Sequence, residues 1–329
     1  MAANVLTSTE NLPYEDWLSY RKLGIGGSDA SVVCGISRYR SPVELWMNKT
    51  GQLPDEEAGE AAYWGTKLEA LVREEFTMRT GIKVSLVKQI LQSEDHPFML
   101  ANLDGTCSHP DHGPCIFEAK TASAYKSGEW ESDSIPDEYT LQVQHYMAVT
   151  GYQGAYIAVL IGGNTFKWKF VERDEELISM LIRLETDFWN HVQQGTPPPL
   201  DSSDASAEFL RSFFPESVPS SRISLPFQAA ELVEQYRTFS EEGEKIAEKK
   251  QEAENLLKQM LGKNESGIIG DSVVTWKTIC QERLDTKSLK AEHPVLFRKY
   301  ASRISYRRFS VKKVLSPSSV PLSTVSDTV

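Results

Sequence analysis

Apolar residues recur along the first two hundred positions in two rhythms, one helical and one extended. In "EAAYWGTKLEALVREEFTMRTG", Leu68, Leu71, Val72 and Phe76 return at spacings of one to four, which predicts an amphipathic helix stopping near Gly81. Trp64 and Gly65 near its start imply close packing at that end. "KVSLVKQILQ", "FMLANLDGT" and "CIFEAKTA" follow, alternating and rich in branched residues, and predict a hairpin or small sheet. Helical spacing resumes in "DEYTLQVQHYMAVTG", where Leu141, His145, Ala148 and Val149 lie on neighbouring turns before Gly151. Two further strands, "GAYIAVLIGG" and "TFKWKFVE", flank a Gly-Gly-Asn turn, and a long helix from Asp174 to Gln194 closes the region.

Upstream, "PYEDWLSYRKLGIGGSDASVVCGI" predicts a helix around Asp16, Trp17 and Tyr20 and a turn through Gly24, Gly26 and Gly27. Ser28 and Asp29 then offer capping oxygens to the next helix. Downstream, "GTPPPLDSSDAS" reads as a linker and places the end of the first domain at residue 200. Residues 201–315 form an accessory region. It has a charged helix over 227–262, with Ile246, Ala253, Leu256, Leu257 and Met260 as a narrow stripe, then a β-rich piece and the basic stretch "RKYASRISYRRFSVKK". The stripe traces too few heptads for a coiled coil. Residues 316–329 read as a disordered tail.

The 329 residues are 40% hydrophobic and 25% charged, the balance of a soluble globular protein. No stretch is long and apolar enough to span a membrane, and the start has no signal-peptide pattern, so a cytoplasmic protein is expected. Four cysteines are too few for a disulfide framework; reduced thiols are expected, with Cys34 and Cys280 buried. A net charge of −11 argues against coating nucleic acid by bulk attraction. Between Asp271 and Lys313, however, eleven Lys and Arg face four Asp and Glu, so positive charge is gathered at one end.

The chemistry centres on "LDGTCSHPDHGPCIFEAK". Asp104 ends one strand and Glu118-x-Lys120 lies on the next; residues two apart on a strand share a face, so the three can converge at a sheet edge. Two carboxylates and the Ala119 carbonyl suit a hard, oxygen-seeking ion, Mg²⁺ or Mn²⁺. Lys120 would orient or deprotonate an attacking water and offset charge at a phosphate. Glu69 on the preceding helix is a further acid, although Arg73 stands at the spacing of an ordinary helical ion pair. Gln142 and Tyr146 lie one turn apart and share a face, so they can jointly meet a backbone phosphate, or they and Gln144 can serve a core helix. Arg21 and Ser28 beside a Gly-rich turn form an anion site, or else a surface ion pair and a plain cap. Cys107, His109, His112 and Cys115 offer a zinc alternative, but their tight, irregular spacing around two prolines favours a hairpin tip.

In this order, these residues resemble the YqaJ-like viral recombination nucleases and, more distantly, the lambda-type phage exonucleases of the PD-(D/E)XK superfamily. The likeness runs from about Trp17 to about Val192. It implies an α/β core with a central mixed sheet flanked by helices and a smaller C-terminal α/β appendage. Glu69, Asp104, Glu118, Lys120 and Gln142 would carry the chemistry, with Gln144 and Tyr146 on DNA and the ion held by Asp104, Glu118, Ala119 and Glu69. The resemblance also implies a 5′-phosphate pocket of Arg21 and Ser28; Asn102 stands where relatives can place a further serine. The implied activity is a Mg²⁺-dependent 5′-to-3′ exonuclease on double-stranded DNA ends. It would release mononucleotides, leave 3′ overhangs for a single-strand annealing recombination protein, and assemble as a closed homotrimer. An endonuclease without end recognition and a non-catalytic DNA-binding module are the competing readings.

Overall fold

The computed structural model describes residues 3–53, 59–131, 135–302 and 305–311. The chain divides into two compact units, Met1–Phe213 and Phe214–Val329. The first contains β1 (Ala3–Ser8), α1 (Tyr14–Lys22), β2 (Ile25–Gly26), α2 (Gly27–Val33), α3 (Pro42–Lys49), α4 (Glu60–Thr80), β3 (Gln89–Ser93), β4 (Met99–Asn102), β5 (Gly105–His109), β6 (Gly113–Ala122), α5 (Asp137–Thr150), β7 (Gly154–Ile161), β8 (Thr165–Glu172), α6 (Glu175–Gln194) and α7 (Asp204–Phe213). Its α/β architecture, with mixed sheets flanked by helices, is the expected one.

One four-stranded sheet runs β5-β6-β7-β8, with β6 and β7 parallel and the outer pairs antiparallel. Alternation along β6 sorts its side chains. Cys115 and Phe117 face α4, where Phe76 packs 5.0 Å from the Phe117 ring and 5.2 Å from Tyr156. Ile116 joins the core on the other face with Val143 and Met147 of α5, the face that also receives Glu118 and Lys120. Burying each large apolar side chain contributes about 1.5–3 kcal/mol, so both helices are anchored by their stripes rather than by helix propensity. Gly81 and Gly151 end α4 and α5 in the left-handed region at φ 74° and 76°, which glycine adopts without a Cβ penalty.

A second sheet, ordered β1-β3-β4-β2, pairs β2 parallel to β4 and so carries the segment after Arg21 towards Asp104. Strand β1 and helix α3 lie in stretches whose spacing gave no signal. Helix α7 starts inside the expected linker: Ala205 and Phe209, one turn apart, are buried, and Phe209 joins Val43 and Leu45 of α3. The division therefore falls at Phe213 rather than residue 200, because a short amphipathic pattern is easily hidden by surrounding Pro and Ser. Trp64 is 54% exposed and donates to Glu60, so the start of α4 is open rather than closely packed. Cys280 is exposed rather than buried.

The second unit contains α8 (Ala229–Leu261), the antiparallel pair β9 (Ser266–Ile269) and β10 (Ser272–Thr275), α9 (Thr286–Glu292) and α10 (Pro294–Tyr300). The basic stretch begins in helix α10, and its residues 305–311 form no strand. The expected tail at 316–329 lies outside the described residues. Among the described residues no helix is long and apolar enough to cross a membrane.

Candidate active site

Asp104 follows β4, and its Oδ2 accepts from the Ala119 amide at 2.8 Å, which pins the aspartate to the free edge of β6. An extended residue points its N–H and C=O the same way, so the Ala119 carbonyl faces this edge too. Lys120 Nζ donates to Glu118 Oε1 at 2.7 Å and to Gln142 Oε1 at 2.9 Å. Gln142 Nε2 in turn donates to Glu118 Oε1 at 2.6 Å and lies 3.2 Å from the Tyr146 hydroxyl. One strand and one helix thus assemble a closed network of acid, amine, amide and phenol.

The other oxygen, Glu118 Oε2, is buried and has no hydrogen-bond partner. Burial, then the Asp104 charge, push the Glu118 carboxyl up to about 8. Burial also raises Asp104, against the pull of Lys120, and burial with Asp104 raises Glu69. Burial alone would lower Lys120, but Glu118 and Asp104 outweigh it and hold the amine charged. Carboxylates raised together in this way, one with an orphaned oxygen, form a donor set that a cation would stabilise. No three His, Cys, Asp or Glu side chains of the described residues already stand together as a ligand cage. Glu69 reaches the rim from α4, on the opposite face of the sheet, and is tied to Arg73 at 3.1 Å.

Arg21 and Ser28 meet on the same cavity. Arg21 donates to Ser28 Oγ at 2.9 Å, and its guanidinium lies 4.9 Å from the centre of the Trp17 ring. Beneath it, buried Asp29 accepts from Lys49 at 2.7 Å and from the Gly26 amide at 3.1 Å. Burial works to raise Asp29, but Lys49 and Arg21 outweigh it and hold the carboxyl well below the usual range. Gly26 is therefore the capping residue, and Asp29 answers its N–H from inside the first turn, which corrects the expectation that Ser28 and Asp29 are the caps. Ser28 is left free to face the cavity. That cavity, about 140 Å³, is lined by Trp17, Arg21 and Ser28 on one side and by Asn102, Asp104, Glu118, Gln142 and Tyr146 on the other.

The YqaJ-like viral recombinase domain matches residues 16–153. The uncharacterized protein YqaJ of Bacillus subtilis (strain 168) is 41% identical over 316 residues, 95% of this chain and 98% of that protein. The chain belongs to the YqaJ-like viral recombinase family. Among solved structures, the alkaline exonuclease LHK-Exo from Laribacter hongkongensis is similar with 20% identity and a TM-score of 0.47, covering 60% of this chain and 97% of its own. A phage-related exonuclease from Haemophilus somnus 129PT has 13% identity and a TM-score of 0.41, covering 54% and 99%.

In this YqaJ-like chain, Gln144 stands apart from the other expected site residues. It is buried, donates to the Glu172 carbonyl at 2.7 Å and accepts from the Asp174 amide at 3.0 Å, tying α5 to the β8–α6 junction. Residues two positions apart on a helix point about 200° apart, so Gln142 and Gln144 do not share the cavity. Next to it, fully buried His145 sets Nδ1 2.8 Å from Glu185 and donates from Nε2 to the Leu100 carbonyl at 2.9 Å. Burial opposes its charge, but Glu185 outweighs burial and raises the imidazole pKa. Spacing alone marked His145 only as a core position.

Gly24 and Gly27 act through close contact rather than turn geometry. A Cβ on Gly27 would stand 2.4 Å from the Tyr146 ring, and one on Gly24 2.4 Å from the Phe98 carbonyl. At the hairpin, Cys107 and Cys115 are paired across the strands, while His109 stacks on Phe170 at 4.4 Å and His112 packs tilted against it at 5.0 Å. Burial, then Cys115, push the Cys107 thiol up to about 12.

Proposed function

We propose that the chain is a metal-dependent deoxyribonuclease that degrades one strand of duplex DNA from its 5′ end, releasing mononucleotides and leaving a 3′ overhang. The observation that carries this reading is the single cavity joining Arg21 and Ser28 to Asp104 and Glu118. An end-reading nuclease needs both groups in one chamber: a clamp for the terminal phosphate and, beside it, carboxylates for the bond to be cut. Family membership supports DNA recombination as the setting.

Asp104, Glu118 and the Ala119 carbonyl would hold a divalent ion, Mg²⁺ with Mn²⁺ able to substitute, and Glu69 would join them on leaving Arg73. When bound, the ion supplies polarisation of the phosphoryl oxygens and activation of water. Lys120, beside its acidic neighbours, orients or deprotonates the attacking water and offsets the charge that develops on the phosphodiester. Gln142, steadied by Tyr146, holds Lys120 and Glu118 in register. Arg21 binds the terminal phosphate, with Ser28 as a hydroxyl partner and Asn102 in place of the further serine. The family resemblance adds a closed homotrimeric ring in the cytoplasm, handing the overhang to a single-strand annealing recombination protein.

End-labelled linear duplex incubated with Mg²⁺ should shorten from its 5′ end, faster when that end is phosphorylated, and Lys120→Ala should abolish the reaction. Degradation surviving Lys120→Ala would remove the mechanism. Equal cutting of closed circular DNA would make the protein an endonuclease. Sedimentation at the mass of three chains would support the ring.

A further inference from the structure

We infer that the second unit carries a nucleic-acid contact of its own, an exposed basic strip that grips the phosphate backbone of duplex DNA independently of the cavity and its ion. Its cations are Lys277, Arg283, Lys287, Lys290, Arg298 and Lys299, all exposed, with Lys287 and Lys290 on α9 and Arg298 and Lys299 on α10, two helices that pack together; Arg307 and Arg308 are exposed as well. Among the described residues, none of these cations is in an ion pair. The salt bridges of this unit, Arg237 with Glu234 and Lys258 with Glu254, lie on α8. Of the few acids nearby, Asp285 is occupied in capping α9, where it accepts from the Lys287 and Ser288 amides at 3.0 Å each. A chain of net charge −11 that leaves this many cations unneutralised at one end presents a localised anion-binding surface.

The interleaved aromatics favour nucleic acid over an acidic protein or a bilayer. Trp276, Tyr300 and Tyr306 are 50, 74 and 81% exposed among the cations, and Lys290 and Lys299 stand 5.7 and 5.4 Å from the Phe297 and Tyr300 rings. Exposed rings beside cations suit the sugars, bases and phosphates of a polynucleotide. Helices α9 and α10 have seven residues each, too short to lay an amphipathic face on a membrane. The body of the chain is acidic, so this strip would hold a duplex against that repulsion between catalytic events.

The test uses the full chain in EDTA and a fluorescent duplex of about 30 base pairs whose two ends are closed by hairpins, so that the cavity has no end to bind. Anisotropy is read between about 50 and 200 mM salt, the range over which phosphate contacts weaken steeply. Removing two charges, as Arg298→Gln with Lys299→Gln, should make the log–log salt slope shallower by about two and weaken binding on the order of tenfold at low salt. Lys287→Gln with Lys290→Gln should act alike, guarding against a local folding defect in either variant. In single-turnover hydrolysis of an open-ended duplex, both variants should need more enzyme to reach the half-maximal rate. Slopes unaltered in both variants would overturn the inference. So would polyglutamate of equal charge displacing the duplex as well as unlabelled duplex does, which would assign the strip to an acidic protein. No hydrolysis enters the binding measurement, so its outcome is separate from that of the exonuclease reading.

Discussion

Glu118 links protonation, metal and stability, and the three can be read in one experiment. Its carboxyl is pushed up to about 8 in the folded chain, from an ordinary value of 4.5, by burial and by Asp104. The folded state keeps a proton that the unfolded chain has released, so this contribution to stability is fully present below about 4.5. It is lost as pH rises through about 8. At about 1.4 kcal/mol per pH unit the ceiling is on the order of 5 kcal/mol, reduced where Lys120 relaxes towards the ionised form. A divalent ion binds only that ionised form, so its stabilising effect grows across the same window. Thermal unfolding of the metal-free chain should show a melting temperature that falls from about pH 5 to 9, each kcal/mol being worth about 2–4 °C at this domain size. Added Mg²⁺ or Mn²⁺ should restore it most at the alkaline end. Glu118→Gln should flatten the pH dependence and blunt the response to metal. Parallel curves for the two proteins, with equal gains from the ion, would refute the reasoning.

Arg21→Ala should lower the preference for 5′-phosphorylated over 5′-hydroxyl ends by about tenfold or more, since a hydrogen bond to a charged group contributes about 1.5–3 kcal/mol; the ratio of kcat/KM for the two ends measures it. Gly27→Ala should cost about 1–3 kcal/mol in denaturant unfolding and lower kcat, because the new methyl drives Tyr146 off Gln142. Gly26→Ala, whose Cβ meets only the Asp29 carboxylate at 3.8 Å, is the control and should leave kcat near that of the unaltered chain. Gln144→Ala should lower stability by about 2 kcal/mol while leaving the DNA concentration dependence of hydrolysis unchanged, which separates a structural tie from a DNA contact.

Most of the strands and long helices were legible because their apolar residues keep the period of the element: β7 and β8, α4 to Gly81, α5 to Gly151, α6 from its Asp174 cap. The Asp104, Glu118 and Lys120 grouping was legible for the same reason, since a two-residue period puts Glu118 and Lys120 on one face of β6. Gln142 and Tyr146 followed from helical spacing. The surroundings of Gln144 were not legible because α5 is buried on every side, from Leu141 to Thr150, so periodicity could not tell the face towards β6 from the face towards β8 and α6.

The amino-acid sequence by itself determined which side chains could carry acid, amine and amide chemistry, and on which local faces they stand, because those faces depend only on short-range backbone geometry. It could not determine that Arg21, Asp29 and Lys49 form one buried charge assembly, that Gly27 leaves room for the Tyr146 ring, or that Glu69 approaches the rim from the far side of the sheet. Those relations were decided when β2 paired with β4 and α5 crossed the sheet, bringing distant segments together through contacts that no local spacing encodes.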